Sequence, residues 1–211
     1  MTTVGSLARF RADLEAVLEA DPAAKSRLEV LLCYPGLHAV WAHVLTHALW
    51  EDGERLLARV ISQLVRWLTG VEIHPGAELG ERVVIDHGMG VVIGETAVVG
   101  DDVHMYHGVT LGGANPRPVK RHPTVGDGVT IGADATLLGD IEVGDGAKVG
   151  AGAVVTTDVE PGATMIGVPA ERVDRGADTE ADESGVATPD DTTHTHSDGT
   201  TDDAVDADAD E

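Results

Sequence analysis

A six-residue beat runs from Ile73 to about Pro161 and constrains this chain more than any other feature. Aliphatic or similar residues fall at Ile73, Leu79 and Ile85. They resume at Ile93, Val99, Met105 and Leu111, and again at Val125, Ile131, Leu137, Val143, Val149 and Val155. Four residues after most of these stands a second small or apolar residue: Ala77, Val83, Ala97, Val103, Val109, Val129, Ala135, Ile141, Ala147 and Ala153. A period of six suits neither an amphipathic helix nor a simple alternating strand. It is the mark of a parallel β-helix of hexapeptide repeats. Each hexad makes one short strand and one corner, and three hexads make a coil of triangular cross-section. The beat position points into the prism, and the residue four later fills the tight space near a corner. Gly and Asp fill the turns, as in Gly126-Asp127-Gly128 and Gly144-Asp145-Gly146.

The first seventy residues have helical spacing instead. Leu7, Phe10, Leu14, Val17 and Leu18 mark a helix over residues 1–20. Asp21-Pro22 predicts the N-cap and first turn of a second helix, continuing from Ala23 to Leu32. Pro35-Gly36 predicts a turn, followed by a helix from Leu37 to Asp52. A last helix spans Glu54 to Leu68, with Leu56, Leu57, Val60, Ile61, Leu64, Val65 and Leu68 as its apolar stripe and Gly70 as its end. Val30 to Trp50 contains no Asp, Glu, Lys or Arg and has the length of a membrane span. Pro35-Gly36, His38, His43, Thr46 and His47 interrupt it, so it reads as a buried helix, with no membrane association. The expected architecture is α+β: a helical domain over 1–70, a parallel β-helix over 71–173, and an acidic tail over 174–211 whose lack of periodicity predicts disorder.

The formal net charge is −23, and the tail, with fourteen acidic residues and one Arg, carries −13 of it. The remaining −10 lies on a body whose only lysines are Lys25, Lys120 and Lys148. Such a composition points to high-salt surroundings, where screening removes self-repulsion. It argues against nucleic acid as a partner. The single Cys33 excludes an intrachain disulfide and fits a reducing, cytoplasmic compartment; its Leu-Leu-Cys context reads as a buried small hydrophobe. No secretory signal pattern stands at Met1–Phe10.

The beat is broken twice. From Ile85 to Ile93 the step is eight, so two residues are inserted around Asp86-His87-Gly88-Met89-Gly90. From Gly113 to Thr124 a loop leaves the coil, and it holds Arg117, Lys120, Arg121 and His122, the densest basic segment in the chain. A carboxylate or a coenzyme phosphate suits such a loop. A coil stacks well without either excursion, so the interruptions mark the chemistry.

At these positions the chain resembles serine O-acetyltransferases. The resemblance rests on Asp21-Pro22-Ala23-Ala24, Gly36-Leu37-His38-Ala39, Ile73-His74-Pro75-Gly76-Ala77, Ile85-Asp86-His87-Gly88, Val92-Ile93-Gly94-Glu95-Thr96, Gly108-Val109-Thr110-Leu111-Gly112-Gly113, Arg121-His122-Pro123 and Gly167-Val168-Pro169-Ala170, over about residues 20–173. It implies a left-handed coil, and acetyl transfer from acetyl-CoA to the L-serine hydroxyl in cysteine biosynthesis. His87 is then the general base, a task that suits an imidazole at neutral pH. Glu72, where members often carry Asp, orients it. Asp21 and Asp86 hold the serine ammonium, and Arg121 and His122 its carboxylate. Gly112, Gly113 and Lys120 contact the coenzyme, and no metal is implied. The resemblance also implies a homotrimer or a dimer of trimers, and cysteine as an inhibitor at the serine site.

This chain departs from the family in three places. Ala114-Asn115-Pro116-Arg117 replaces the usual Gly-Thr-Gly-Lys. His107 stands where Gln is common and reads as an exposed side chain on the coil. The chain ends Asp-Ala-Asp-Glu rather than in Ile, so no complex with O-acetylserine sulfhydrylase is expected. Three other readings stay open: a hexapeptide acetyltransferase of another hydroxyl or sugar acceptor, a γ-carbonic-anhydrase-like zinc trimer using some of His87, His104, His107 and His122, and a non-catalytic scaffold. The pair spacing of the zinc site is absent. His43 and His47, one helical turn apart, read as packing residues, and His194 and His196 lie in the tail.

Overall fold

A computed structural model describes residues 3–167 and 169, with side chains from Ala8 onward. The expectations for Val168, for Ala170 and for the tail lie outside the described residues. Four helices come first: α1 (Thr3–Ala20), α2 (Arg27–Cys33), α3 (Pro35–Glu51) and α4 (Arg55–Thr69). Fourteen short strands follow among the described residues; every third one up to the thirteenth joins the same sheet, and the last stacks on the twelfth. The first sheet stacks β1 (Glu72–Ile73), β4 (Val92–Ile93), β7 (Thr110–Gly112), β10 (Thr136–Leu138) and β13 (Val154–Val155). The second stacks β2 (Glu78–Leu79), β5 (Val98–Val99), β8 (Thr124–Val125) and β11 (Glu142–Val143). The third stacks β3 (Val84–Ile85), β6 (His104–Met105), β9 (Thr130–Ile131), β12 (Lys148–Val149) and β14 (Thr164–Met165). All pairings are parallel, with Ile73 beside Ile93 and Ile93 beside Leu111. Helices and coil form one compact unit.

The beat residues fill the prism. Ile93, Met105, Leu111, Ile131 and Leu137 are wholly buried, and so are the corner fillers Ala77, Val103, Val109, Val129, Ala135 and Ala147. Each buried Val, Leu or Ile contributes about 1.5–3 kcal/mol, so the repeat itself supplies the core. Along the edge between the second and third sheets an Asp ladder links the coils. Asp101 accepts the Glu81 N–H (2.7 Å), Asp127 that of Asp101 (2.8 Å) and Asp145 that of Asp127 (2.9 Å).

The helices attach to the first coils. Ala16 and Val17 of α1 pack with Val30, Leu37 and the outward face of Val84. Asp13, fully buried, accepts the Arg82 N–H (2.9 Å) and the Trp41 indole N–H (3.2 Å). The second helix corrects the sequence reading. It starts at Arg27, not Ala23, because Ser26 caps it by accepting the Glu29 N–H (3.2 Å). Asp21 instead closes a local turn, accepting the Ala23 N–H (2.7 Å). The third helix begins at Pro35 rather than after a turn, since proline suits a first helical position. It meets α2 at a 72° bend, and no single described helix is long and apolar enough to cross a membrane. Cys33 is exposed, which corrects the expectation of a buried residue: α2 turns only Val30 fully inward. His43 and His47 do pack, each on a backbone carbonyl, of Ala77 (3.1 Å) and Pro75 (2.8 Å).

Candidate active site

The two interruptions of the beat lie at different edges of the prism. The eight-residue step turns the chain from the third sheet into the first. Here the backbone doubles back tightly, with the Gly88 N–H on the Asp86 carbonyl (2.7 Å) and the Met89 N–H on that of His87 (3.0 Å). His87 sits at φ +61°, a left-handed conformation that non-glycine residues seldom adopt. That bend swings its imidazole outward, and 71% of the side chain is exposed. The ladder is undisturbed, because the Asp86 N–H still reaches the Met105 carbonyl of the next coil (2.8 Å).

Acids surround this imidazole. Asp86 Oδ2 lies 3.8 Å from His87 Nε2. Asp21 accepts the Tyr34 hydroxyl (2.5 Å), and this bond, then the Ala23 amide, holds its carboxyl below the usual range. The same bond pushes the Tyr34 phenol up to about 12. The α3 start lies directly on the strand end: a Cβ on Gly36 would stand 2.0 Å from the Ile85 carbonyl oxygen, so only glycine permits this approach. His107 packs edge-on against His87, centroids 5.8 Å apart. It is half-buried, not an exposed side chain, and its buried Nδ1 has no hydrogen-bond partner. His104 stacks on Tyr106 (4.7 Å), and burial lowers its pKa.

The basic loop forms the second cluster, at the edge between the first and second sheets. Thr96 is its hub. Its Oγ1 accepts the N–H groups of Arg121 (3.0 Å) and His122 (3.2 Å) and lies 2.9 Å from His122 Nδ1. The Thr96 N–H also donates to that Nδ1 (3.1 Å). A ring nitrogen that accepts from an amide carries no proton, so His122 is the neutral tautomer with its hydrogen on Nε2. Burial, and then the Arg121 charge, lower its pKa in the same sense. The ring occupies the space a side chain on Gly94 would need, since a Cβ there would stand 2.0 Å from it. Glu95 clamps Arg121 (3.0 Å), and Lys120 Nζ donates to the Thr96 carbonyl (2.6 Å). Gly113 lies against the His122 ring, and the Gly112 carbonyl accepts the Gly139 N–H (3.0 Å).

Family models match at both ends of the described chain: "Serine acetyltransferase, N-terminal" over residues 3–42, and "Bacterial transferase hexapeptide (six repeats)" over residues 122–157. A serine acetyltransferase of Mycobacterium tuberculosis is 54% identical over 165 residues, covering 78% of this chain and 72% of that one. The chain belongs to the serine acetyltransferase family. A Staphylococcus aureus serine acetyltransferase is 50% identical over 167 residues, covering 79% and 78% of the two chains. Among solved structures, the Neisseria gonorrhoeae serine acetyltransferase in complex with serine superposes with TM-score 0.74 at 45% identity, covering 80% of this chain and 69% of that one. Isoform 3 from Entamoeba histolytica, in complex with cysteine, gives 0.77 at 37% identity, covering 81% of this chain and 61% of that one. The chain thus spans about three-fifths of the Entamoeba protein's length.

Against the serine acetyltransferase pattern, Asp21, Asp86 and His87 meet at one edge, and Arg121, His122, Lys120 and Gly113 at another. Glu72 stands between them on the outer face of the first sheet, paired with Arg66 (3.2 Å) rather than hydrogen-bonded to His87. One side of the coil, about six residues or roughly 20 Å of extended chain, separates the two clusters. Residue-by-residue reading did not single out Tyr34, Glu95 or Thr96 for a role. The Gly-Glu-Thr run was the available signal for the last two.

Proposed function

We propose that the chain transfers the acetyl group of acetyl-CoA to the hydroxyl of L-serine, giving O-acetylserine and CoA. The carrying observation is the charge division of the two clusters: acids beside an open imidazole at one edge, a guanidinium and a neutral imidazole N–H at the other. Serine presents the matching set, an ammonium, a carboxylate and a hydroxyl. His87 takes the hydroxyl proton as the oxygen attacks the thioester carbon. The tetrahedral intermediate collapses with cleavage of the C–S bond, and His87 returns the proton to the departing sulfur. His107 suits the oxyanion. It packs edge-on against His87 (centroids 5.8 Å apart), and a ring N–H there would donate to developing charge. Arg121 and the His122 Nε2–H take the serine carboxylate, and Asp21 and Asp86 its ammonium.

One chain does not place both clusters on one serine, so the reading includes a homotrimer in which the His87 edge of one copy faces the Arg121 edge of the next. The exposure of His87 supports it, since a base open to water in one copy gains a wall in the assembly. We take the coil to be left-handed and residues 71–173 to be the acyltransferase domain, as the family resemblance implies. Cysteine, with the same ammonium and carboxylate, fits the serine position as an inhibitor, and the expected location is cytoplasmic.

Thiol release from acetyl-CoA in the presence of serine, homoserine or a β-galactoside tests the substrate. Serine alone should support turnover, and equal rates with the galactoside would overturn the reading. Mixing inactive His87→Ala and Arg121→Ala proteins tests the sharing of the site. Random reassembly into trimers should restore about a quarter of wild-type sites, and no recovery would place the whole site in one copy.

A further inference from the structure

Asp21 stands where the serine ammonium is to bind, yet no helix or strand fixes it. It lies in the connection between the end of α1 at Ala20 and the start of α2 at Arg27. Two hydrogen bonds hold its carboxylate instead. Oδ1 accepts the Ala23 N–H (2.7 Å), a local bond that shapes the turn. Oδ2 accepts the Tyr34 hydroxyl (2.5 Å), across thirteen residues of sequence. From behind, the corner of the first coil grips α1. Arg9 Nη2 donates to the carbonyls of Leu79 (3.2 Å) and Gly80 (2.7 Å), and Arg82 pairs with Glu19 (2.7 Å), two residues before Asp21. Those contacts place the turn. Among the described residues, Tyr34 is the one that reaches the carboxylate from outside that turn.

The position of Tyr34 suits this task. It precedes the first residue of α3, and its side chain makes no cap bond to that helix, which leaves the phenol free to reach Asp21. Two residues on, Gly36 lies against the Ile85 carbonyl, and a Cβ on Gly88 would stand 3.6 Å from the Gly36 nitrogen. The start of α3 therefore rests on both shoulders of the bend that carries Asp86 and His87. One stretch of backbone sets both acids and the imidazole. The chemistry of a phenol suits it too. Bonding to Asp21 pushes its pKa up to about 12, so it stays a donor at any working pH. Two of the roughly four acceptor positions of the carboxylate are used, and the others stay open to an ammonium.

We propose that Tyr34 is a positioning residue for the amino group of the acceptor: its hydroxyl holds Asp21 beside Asp86, and the two acids together select an α-ammonium. Without that hydroxyl the Asp21 carboxylate is free to rotate, and the ammonium is left with Asp86, which lies 3.8 Å from His87. This role rests on the serine reading and assigns a residue to one part of it.

Tyr34→Phe keeps the ring and deletes the bond, and circular dichroism checks the fold. Thiol release is measured with serine and with 3-hydroxypropionate, which is serine without its amino group. The KM for serine should rise about 10- to 30-fold, as for loss of a hydrogen bond to a charged group, with kcat and the KM for acetyl-CoA within about twofold of wild type. The kcat/KM preference for serine over 3-hydroxypropionate should shrink by the same factor, because the analogue makes no use of Asp21. Asp21→Asn is the second variant, and adding Tyr34→Phe to it should cost nothing further. Equal losses with both acceptors, or a full added loss on top of Asp21→Asn, would overturn the proposal. A wild type that prefers the analogue would defeat the serine reading and this role together. A wild type that prefers serine, with the preference unchanged in Tyr34→Phe, would defeat this role alone.

Discussion

Thr96 carries no charge, yet both residues proposed to hold the serine carboxylate depend on it. One hydroxyl receives the amides of Arg121 and His122 and meets the His122 ring. Thr96→Val keeps the shape and deletes these bonds, each worth about 0.5–1.5 kcal/mol net. We expect the KM for serine to rise roughly tenfold while that for acetyl-CoA stays near its original value. Steady-state kinetics with each substrate varied in turn checks this, and equal rises in both would remove Thr96 from the serine site. His43 bears on stability instead. Burial first, and the neighbouring His47 second, push its pKa down to about 3 from 6.5. The folded state therefore refuses a proton that the unfolded chain accepts. Stability is intact above pH 6.5 and falls as pH drops toward 3. Replacement by Gln should flatten the decline between pH 7 and pH 5 in urea unfolding. At this scale motif runs in the sequence pointed to Asp21, Asp86, His87, Arg121 and His122 as candidates. It did not reveal the tautomer of His122 or the Tyr34 bond to Asp21, because both depend on side chains brought together from distant segments.

At the level of elements, the hexad positions were read almost residue for residue, because one inward position per strand leaves little freedom to a stacked coil. The helices were less legible. α2 starts four residues later than its Asp-Pro signal indicated, since Ser26 offers a competing cap. The stripe on α4 was detected, but periodicity shows that an apolar face exists, not what covers it. The eight-residue step gives the sharpest test of an element. The ladder above and below it keeps register, Val84 with His104 and Val92 with Thr110. Deleting Gly88 and Met89 should restore the six-residue step and leave a folded coil without activity. Unfolding of that variant, seen by circular dichroism and thermal melting, would mean that the inserted residues also serve the fold.

For the whole molecule, charge is the dominant property, and composition made it legible at once. What composition could not show is that the two candidate clusters occupy two edges of one prism, which is a matter of how three hexads close a coil. The Asp ladder along the third edge shows what the charge does to the fold. Asp101, Asp127 and Asp145 are each held by an amide hydrogen bond and cannot swing apart. Their backbones stack at the interstrand spacing of about 4.8 Å. That edge behaves as a short polyelectrolyte, a rigid line of negative charge that gathers a sheath of cations from the solvent. Salt then acts as a structural component of the coil, with most effect where the line is densest. Asp127→Asn keeps the acceptor oxygen and interrupts the line. Its melting temperature should exceed that of the wild type in dilute buffer, and the two should converge in molar salt.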